Sequence, residues 1–285
     1  MLADYHVHTE FSDDSDCTME QIVEAAIDLG LNEICFTDHV DYGIKKDWDE
    51  PGEMIYRQGG PGEPAEMPLA NPHYHIYYRT FEELGYLYGD KISLKFGLEF
   101  GVQVETIPRY QQLFGRYPFD FIILSVHQIE NKEFWTQEFQ QGKTQDEYIQ
   151  RYYREILEIV RQYKDYSVLG HLDLINRYDK IGNYPFEKIK PVLTEILQIV
   201  IADGKGIEVN TSSHRYGLKD STPSVDILKL YHQLGGRIVT IGSDSHKKEH
   251  LGAYIREAKR LLRNLGYREF CTFEKMQPIF HPLNI

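Results

Sequence analysis

Short apolar runs alternate with longer amphipathic stretches along almost the whole chain. The runs that read as strands are 3–8, 33–37, 93–100, 121–126, 167–172, 206–210 and 238–242. Between and after them lie stretches with helical spacing, at 18–29, 75–88, 107–117, 145–163, 186–202, 225–234 and 254–265. In the first of these Ile22, Ala25, Ala26 and Leu29 share a face. Thr18 can cap it with Gln21 three residues on, and Gly30 stops it. Strands separated by helices pair in parallel through crossovers. Nearly continuous apolar strands fit a sheet covered on both faces. A closed barrel and an open doubly wound sheet both satisfy the pattern. No Gly-rich phosphate loop follows the first strand, which weighs against nucleotide-binding open sheets.

Residues 41–72 break the alternation. They hold Pro51, Gly52, the run Gly59-Gly60-Pro61-Gly62, Pro64 and Pro68, which is loop chemistry. An insertion of this length in a compact domain is usually functional or mobile. A last short strand is expected at 270–273. No linker divides the chain, so residues 1–285 are expected to form a single domain carrying the 41–72 insertion.

The polar residues are placed selectively. The expected strands end in His6-Val7-His8, Thr37-Asp38-His39, Gly97-Leu98-Glu99, Ser125-Val126-His127 and Gly170-His171-Leu172-Asp173; the last two carry Glu208-Val209-Asn210 and run into Gly242-Ser243-Asp244-Ser245-His246. In parallel α/β sheets the carboxyl ends of the strands share one face, and that face carries the site. Taken singly, each residue has an ordinary structural reading, which His73, His75, His214, His232, His250 and His281 keep. Period 2 along a strand puts His6 and His8 on one side, a geometry suited to chelating one ion. Imidazole and carboxylate without thiolate suit Zn, Fe or Mn rather than Ca or Mg. There are more donors than one tetrahedral site needs. Two or three divalent transition-metal ions are therefore expected, with a carboxylate bridging two. Such clusters hold phosphate and generate hydroxide at neutral pH.

Composition narrows the partners. The net charge is −13, from 31 Lys+Arg against 44 Asp+Glu, which argues against nucleic acid or anionic lipid as a partner. Cys17, Cys35 and Cys271 are too few for a disulfide scaffold. The first residues lack a basic start and an apolar run, and no stretch approaches ~20 apolar residues. A cytoplasmic protein is expected, with no membrane association.

The ordered set of His6-x-His8, Thr37-Asp38-His39, Glu99, His127, Gly170-His171-x-Asp173 and Gly242-Ser243-Asp244-x-His246 resembles the PHP (polymerase and histidinol phosphatase) superfamily. The segments 170–178 and Asn210-Thr211-Ser212, with Arg215 shortly after, resemble its histidinol-phosphatase branch. The resemblance implies a distorted (β/α)7 barrel with a trinuclear metal centre at the C-terminal ends of the strands. It implies that His6, His8, Glu99 and Asp244 bind a first ion, and that Glu99 bridges to a second held by His127 and His171. His39 and His246 would bind a third, with Asp14 where several members have His; the neighbouring Asp13 is the alternative. Arg177 and Arg215 resemble arginines that hold substrate phosphate, and Tyr178 would line the same pocket. Asp38 and Asp173 read as groups that orient imidazoles. The implied activity is a metal-dependent phosphomonoesterase acting on L-histidinol phosphate. Its alternative is a phosphoesterase for another small phosphate ester or a nucleotide. Hydroxide would attack phosphorus in line, and Asp244 or His246 would protonate the leaving alkoxide. Glu105, Asp41 and residues of the insertion are candidates for the cationic end of the substrate.

Overall fold

Seven strands line up side by side in the order in which they occur along the chain, all parallel: β1 (Ala3–Val7), β2 (Glu33–Phe36), β3 (Ser93–Gly101), β4 (Phe121–Ser125), β5 (Val168–Leu169), β6 (Gly206–Asn210) and β7 (Val239–Gly242). These come from a computed structural model that describes residues 1–50, 52–58, 66–218 and 220–283. Pro51, Pro64 and the Gly59–Gly62 run of the expected insertion lie outside the described residues. Sequential parallel order curls the sheet round until β7 meets β1. There a single bridge joins Val7 to Ser245, with His8 N donating to Ser245 O at 2.9 Å and Ser245 N to His6 O at 3.3 Å. The result is a parallel sheet nearly closed into a barrel. The short strand His39–Val40 adds a partner to β3, aligning His39 with Glu99.

The surrounding helices are α1 (Met19–Asp28), α2 (Tyr74–Tyr88), α3 (Ile107–Phe114), α4 (Gln145–Gln162), α5 (Phe186–Ala202), α6 (Val225–Gln233) and α7 (Ile255–Asn264). Thr18 caps α1 as expected: its hydroxyl accepts from Gln21 N, and Gln21 Oε1 accepts from Thr18 N. Outward strand residues such as Ile34, Leu98, Leu124 and Ile207 pack with helix residues in one large core. A smaller core joins Ala3, Tyr5, Cys35, Phe121, Ile123 and Val168 to Cys271 and Phe273. It contains no helix residue, so it fills the barrel interior near the amino ends of the strands.

Two details of β1 and β5 set up the site. Tyr5 belongs to the inner core, whereas Val7 belongs to the outer one. Strict alternation would put both on one face. The register of β1 against β2 slips between Asp4 and Val7, which changes the phase and turns His6 and His8 inward. The strand expected at 167–172 is only Val168–Leu169. The chain leaves it at Gly170, where a Cβ would stand 2.5 Å from Ser125 Oγ, and His171 follows at φ 20°. The last short strand expected at 270–273 is present outside the barrel, as one arm of an antiparallel hairpin, β8 (Glu269–Glu274) with β9 (Gln277–Pro282). Tyr5 ties this hairpin to the barrel end: its hydroxyl accepts from Phe273 N at 2.7 Å and donates to Glu33 at 2.6 Å. Among the described residues no helix is long and apolar enough to cross a membrane.

Candidate metal centre

Glu99 stands at the middle of the open face of the barrel, fully buried. One of its oxygens, Oε1, lies 2.7 Å from His171 Nε2 and 3.1 Å from His127 Nε2. The other, Oε2, lies 3.0 Å from His6 Nε2, 2.9 Å from His39 Nδ1 and 3.6 Å from His8 Nε2. Asp244 Oδ1 is 3.5 Å from His8 Nε2, 3.7 Å from His6 Nε2 and 3.6 Å from His246 Nδ1. Asp14 Oδ2 approaches His246 Nε2 at 3.2 Å and His39 Nε2 at 3.7 Å. All of His6, His8, Asp14, His39, Glu99, His127, His171, Asp244 and His246 thus converge. Four overlapping triplets have donor atoms within 4.8 Å of one another: His6/His8/Asp244, His6/Glu99/His171, His39/Glu99/His127 and His8/His39/His246.

Cations suit this geometry better than hydrogen bonding alone does. His8 Nε2 is buried without a hydrogen-bond partner. Such an atom costs about 1–3 kcal/mol unless something binds it. Burial would push the Glu99 carboxyl up, yet His6, His127, His39 and His171 together hold it well below the usual carboxylate range. An ionised carboxylate facing several imidazole nitrogens, with no thiolate, is a donor set for Zn, Fe or Mn.

Carboxylates behind the imidazoles fix their orientation. Glu208 Oε1 lies 2.6 Å from His6 Nδ1, and its Oε2 accepts from His171 N at 3.0 Å. Asp41 Oδ1 lies 2.8 Å from His127 Nδ1. Asp38 acts one step further back than expected. It accepts from Thr9 N, Thr9 Oγ1 and Ser12 Oγ, and Ser12 in turn meets His8 Nδ1 at 3.2 Å. Asp173 orients no imidazole: it accepts from Ser224 N at 2.9 Å, and burial lifts its carboxyl to about 7. Asp13 and Asp14 point to different partners. Asp13 meets Lys45 at 2.6 Å, which leaves Asp14 as the one beside His39 and His246.

A cleft of about 500 Å³ opens over the cluster, lined by His39, His127, His171, Asp244 and His246 and, beside them, Arg177 and Tyr178. Arg177 is nearly buried. Its guanidinium donates to Ser212 Oγ at 2.6 Å, lies 3.7 Å from Asp244 Oδ2 and stacks 4.1 Å from the Tyr216 ring centre. Its Nε has no partner. Arg215 does not line the cleft. It donates to Ser243 O at 2.6 Å and Asp244 O at 2.7 Å, bracing Asp244 in a left-handed conformation at φ 54°. Of the candidates for the cationic end of a substrate, Glu105 is exposed outside the cleft lining, whereas Asp41 lines the cleft with its oxygens already on His127 and Lys45.

Reading the sequence put Glu208 on the site face without giving it a role, and missed Lys45 as part of the site. The available signal was burial: a carboxylate two residues before Asn210 in an apolar strand needs a partner. The histidines with ordinary readings stay apart from the cluster; His214 stacks on Tyr254, His232 packs tilted against Tyr267, and His281 meets Thr272 Oγ1.

The chain matches the PHP domain model over residues 4–212. A histidinol-phosphatase of Lactococcus lactis is 32% identical over 280 residues, 96% of this chain and 95% of that one. The crystal structure of histidinol phosphate phosphatase from Lactococcus lactis, complexed with Zn, L-histidinol and phosphate, superposes with a TM-score of 0.81 at 31% identity; 97% of this chain and 98% of that one are covered. A putative histidinol phosphatase structure from Listeria monocytogenes, 19% identical, shares the fold with a TM-score of 0.70 over 88% of this chain and 98% of that one.

Proposed function

Because the chain belongs to the PHP domain family, we propose that it is a histidinol-phosphatase, a hydrolase that converts L-histidinol phosphate to L-histidinol and phosphate in histidine biosynthesis. One observation carries this. A relative 31% identical over nearly the whole chain binds Zn, L-histidinol and phosphate on the same fold. The donor cluster and Arg177 at the open end of the barrel support it.

Two or three divalent ions (Zn, Fe or Mn) are the proposed cofactors. His6, His8, Glu99 and Asp244 would hold one ion, Glu99 with His127 and His171 a second, and His39, His246 and Asp14 a third. When bound, they polarise the phosphoryl group and supply hydroxide at neutral pH. The chain's own residues do the rest. Arg177 offers its unpartnered Nε and fixed guanidinium plane to the phosphoryl oxygens, matching a phosphate carrying about two charges. Tyr178 walls the same part of the cleft. Of Asp244 and His246, the two candidates in the cleft lining for protonating the leaving alkoxide, Asp244 is held ionised by His6, His8 and His246 and has no proton to give, which leaves His246. Arg215 acts indirectly, by holding the backbone of Asp244.

The test is phosphate release by metal-replete protein from L-histidinol phosphate, other monoesters and a nucleotide diester. Histidinol phosphate is expected to lead in kcat/KM by ~100-fold, about 2.7 kcal/mol of discrimination. Equal, slow turnover of all monoesters would overturn the substrate assignment.

A further inference from the structure

Lys45 belongs to the 41–72 insertion, yet it sits beside the metal centre and is buried. Its ammonium lies 2.6 Å from Asp13 Oδ1 and 3.0 Å from Asp41 Oδ2. Asp41 then passes the contact on, with its other oxygen 2.8 Å from His127 Nδ1. His127 presents Nε2 to Glu99 at 3.1 Å. The four groups form a continuous line from the insertion to the bridging carboxylate. The backbone is built for it. Lys45 N donates to Asp41 O at 2.8 Å, closing a turn that stacks the ammonium over the carboxylate. Asp41 N is held by Asn71 Oδ1 at 2.9 Å, and Lys46 N by Leu69 O at 3.0 Å. Gly101 leaves the room: a Cβ there would collide with Asp41 Oδ1 and stand 2.8 Å from His127 Nδ1.

We propose that Lys45 is a positioning residue for the metal centre, fixing Asp41 against His127 and so setting how tightly the ion held by His127 is bound. This rests on the reading of His127 as a ligand. A buried ammonium persists only when paired, and here both of its carboxylate partners flank the centre. A carboxylate on the far nitrogen of a metal-binding imidazole fixes its tautomer and raises its basicity. Lys45 holds that carboxylate in one place. Without the ammonium, the buried Asp41 carboxylate loses the cation that pins its Oδ2 and is free to turn from His127.

The experiment is titration of the full chain with Co²⁺ against a chromophoric chelator, following the visible cobalt spectrum alongside kcat and KM. Lys45→Met is expected to weaken one ion by ~10–100-fold, leave the others in place, alter that ion's spectrum and lower kcat more than it changes KM. Lys45→Arg, which keeps the charge, should recover part of the lost affinity. If Lys45→Met prevents folding, its double variant with Asp41→Asn serves. Acting through Asp41, the double should hold ions as weakly as Asp41→Asn alone. Unchanged affinities in Lys45→Met, equal weakening of all ions, or additive losses in the double variant would overturn the proposal. Wild-type protein that binds no Co²⁺ would instead overturn the parent reading, and this one with it.

Discussion

Single side chains decide what the centre can do, and most of them do so in pairs. An inward imidazole needs one nitrogen aimed at the cluster, and at His6 and His127 a carboxylate on the other nitrogen sets that aim. His6 has Glu208 at 2.6 Å and His127 has Asp41 at 2.8 Å. Glu208→Gln keeps the shape and removes the charge; it is expected to weaken ion binding by ~10–100-fold in a chelator competition. Arg177→Ala is expected to lower kcat/KM for the phosphate ester by ~100-fold or more in steady-state assays. Arg177→Lys should recover little of that, since an ammonium cannot reproduce a planar guanidinium on Tyr216. At this scale the cluster itself was legible in the sequence, because it depends only on residue type at strand ends. The supporting pairs were not. His6 and Glu208 are 202 residues apart, and nothing in either neighbourhood names the other. Arg215 was misplaced for a related reason: sequence shows a guanidinium near the site, not that two backbone carbonyls already occupy it.

Elements carry the cluster, and their boundaries follow local chemistry closely. The α1 capping box was readable from Thr18 and Gln21 alone. Thr18→Ala is expected to cost about 1 kcal/mol of stability by denaturant unfolding, with activity unchanged. What the sequence hid was phase. Alternation along β1 predicts one inward face, and the slip between Asp4 and Val7 gives two, Tyr5 toward the inner core and His6 with His8 toward the cleft. The short β5 has a similar origin, since the turn at Gly170 and His171 depends on contacts with Ser125 and Glu208 from neighbouring strands. Barrel closure is a matter of close approach. A Cβ at Gly242 would collide with His6 Cβ and stand 2.6 Å from Glu208 Oε1. Gly242→Ala should therefore lower thermal stability and weaken ion binding together; loss of either alone would contradict a seam shared by fold and site.

The whole molecule is a barrel open at one end and plugged at the other by the β8–β9 hairpin, so the charged cluster and the apolar interior occupy opposite ends. Chain order made the parallel architecture legible. The hairpin was not, because its partner is the hydroxyl of Tyr5, 268 residues away. Asp173 gives the global fold a pH dependence. Burial raises its carboxyl from 3.8 to about 7, against the opposing Ser224 N–H. The folded state therefore keeps a proton that the unfolded chain releases. Its contribution is complete below about pH 4, declines as pH rises to about 7, and is constant above that. The gain in melting temperature from Asp173→Asn should thus be larger at pH 8 than at pH 5; an equal gain at both would rule this out. The most direct test of the site is elemental analysis of protein expressed with Zn, Fe and Mn, beside Glu99→Gln. Two or more ions per chain, with clear loss in the variant, is the expected result. Fewer than about one ion per chain in the wild type would contradict a multi-ion centre at the strand ends.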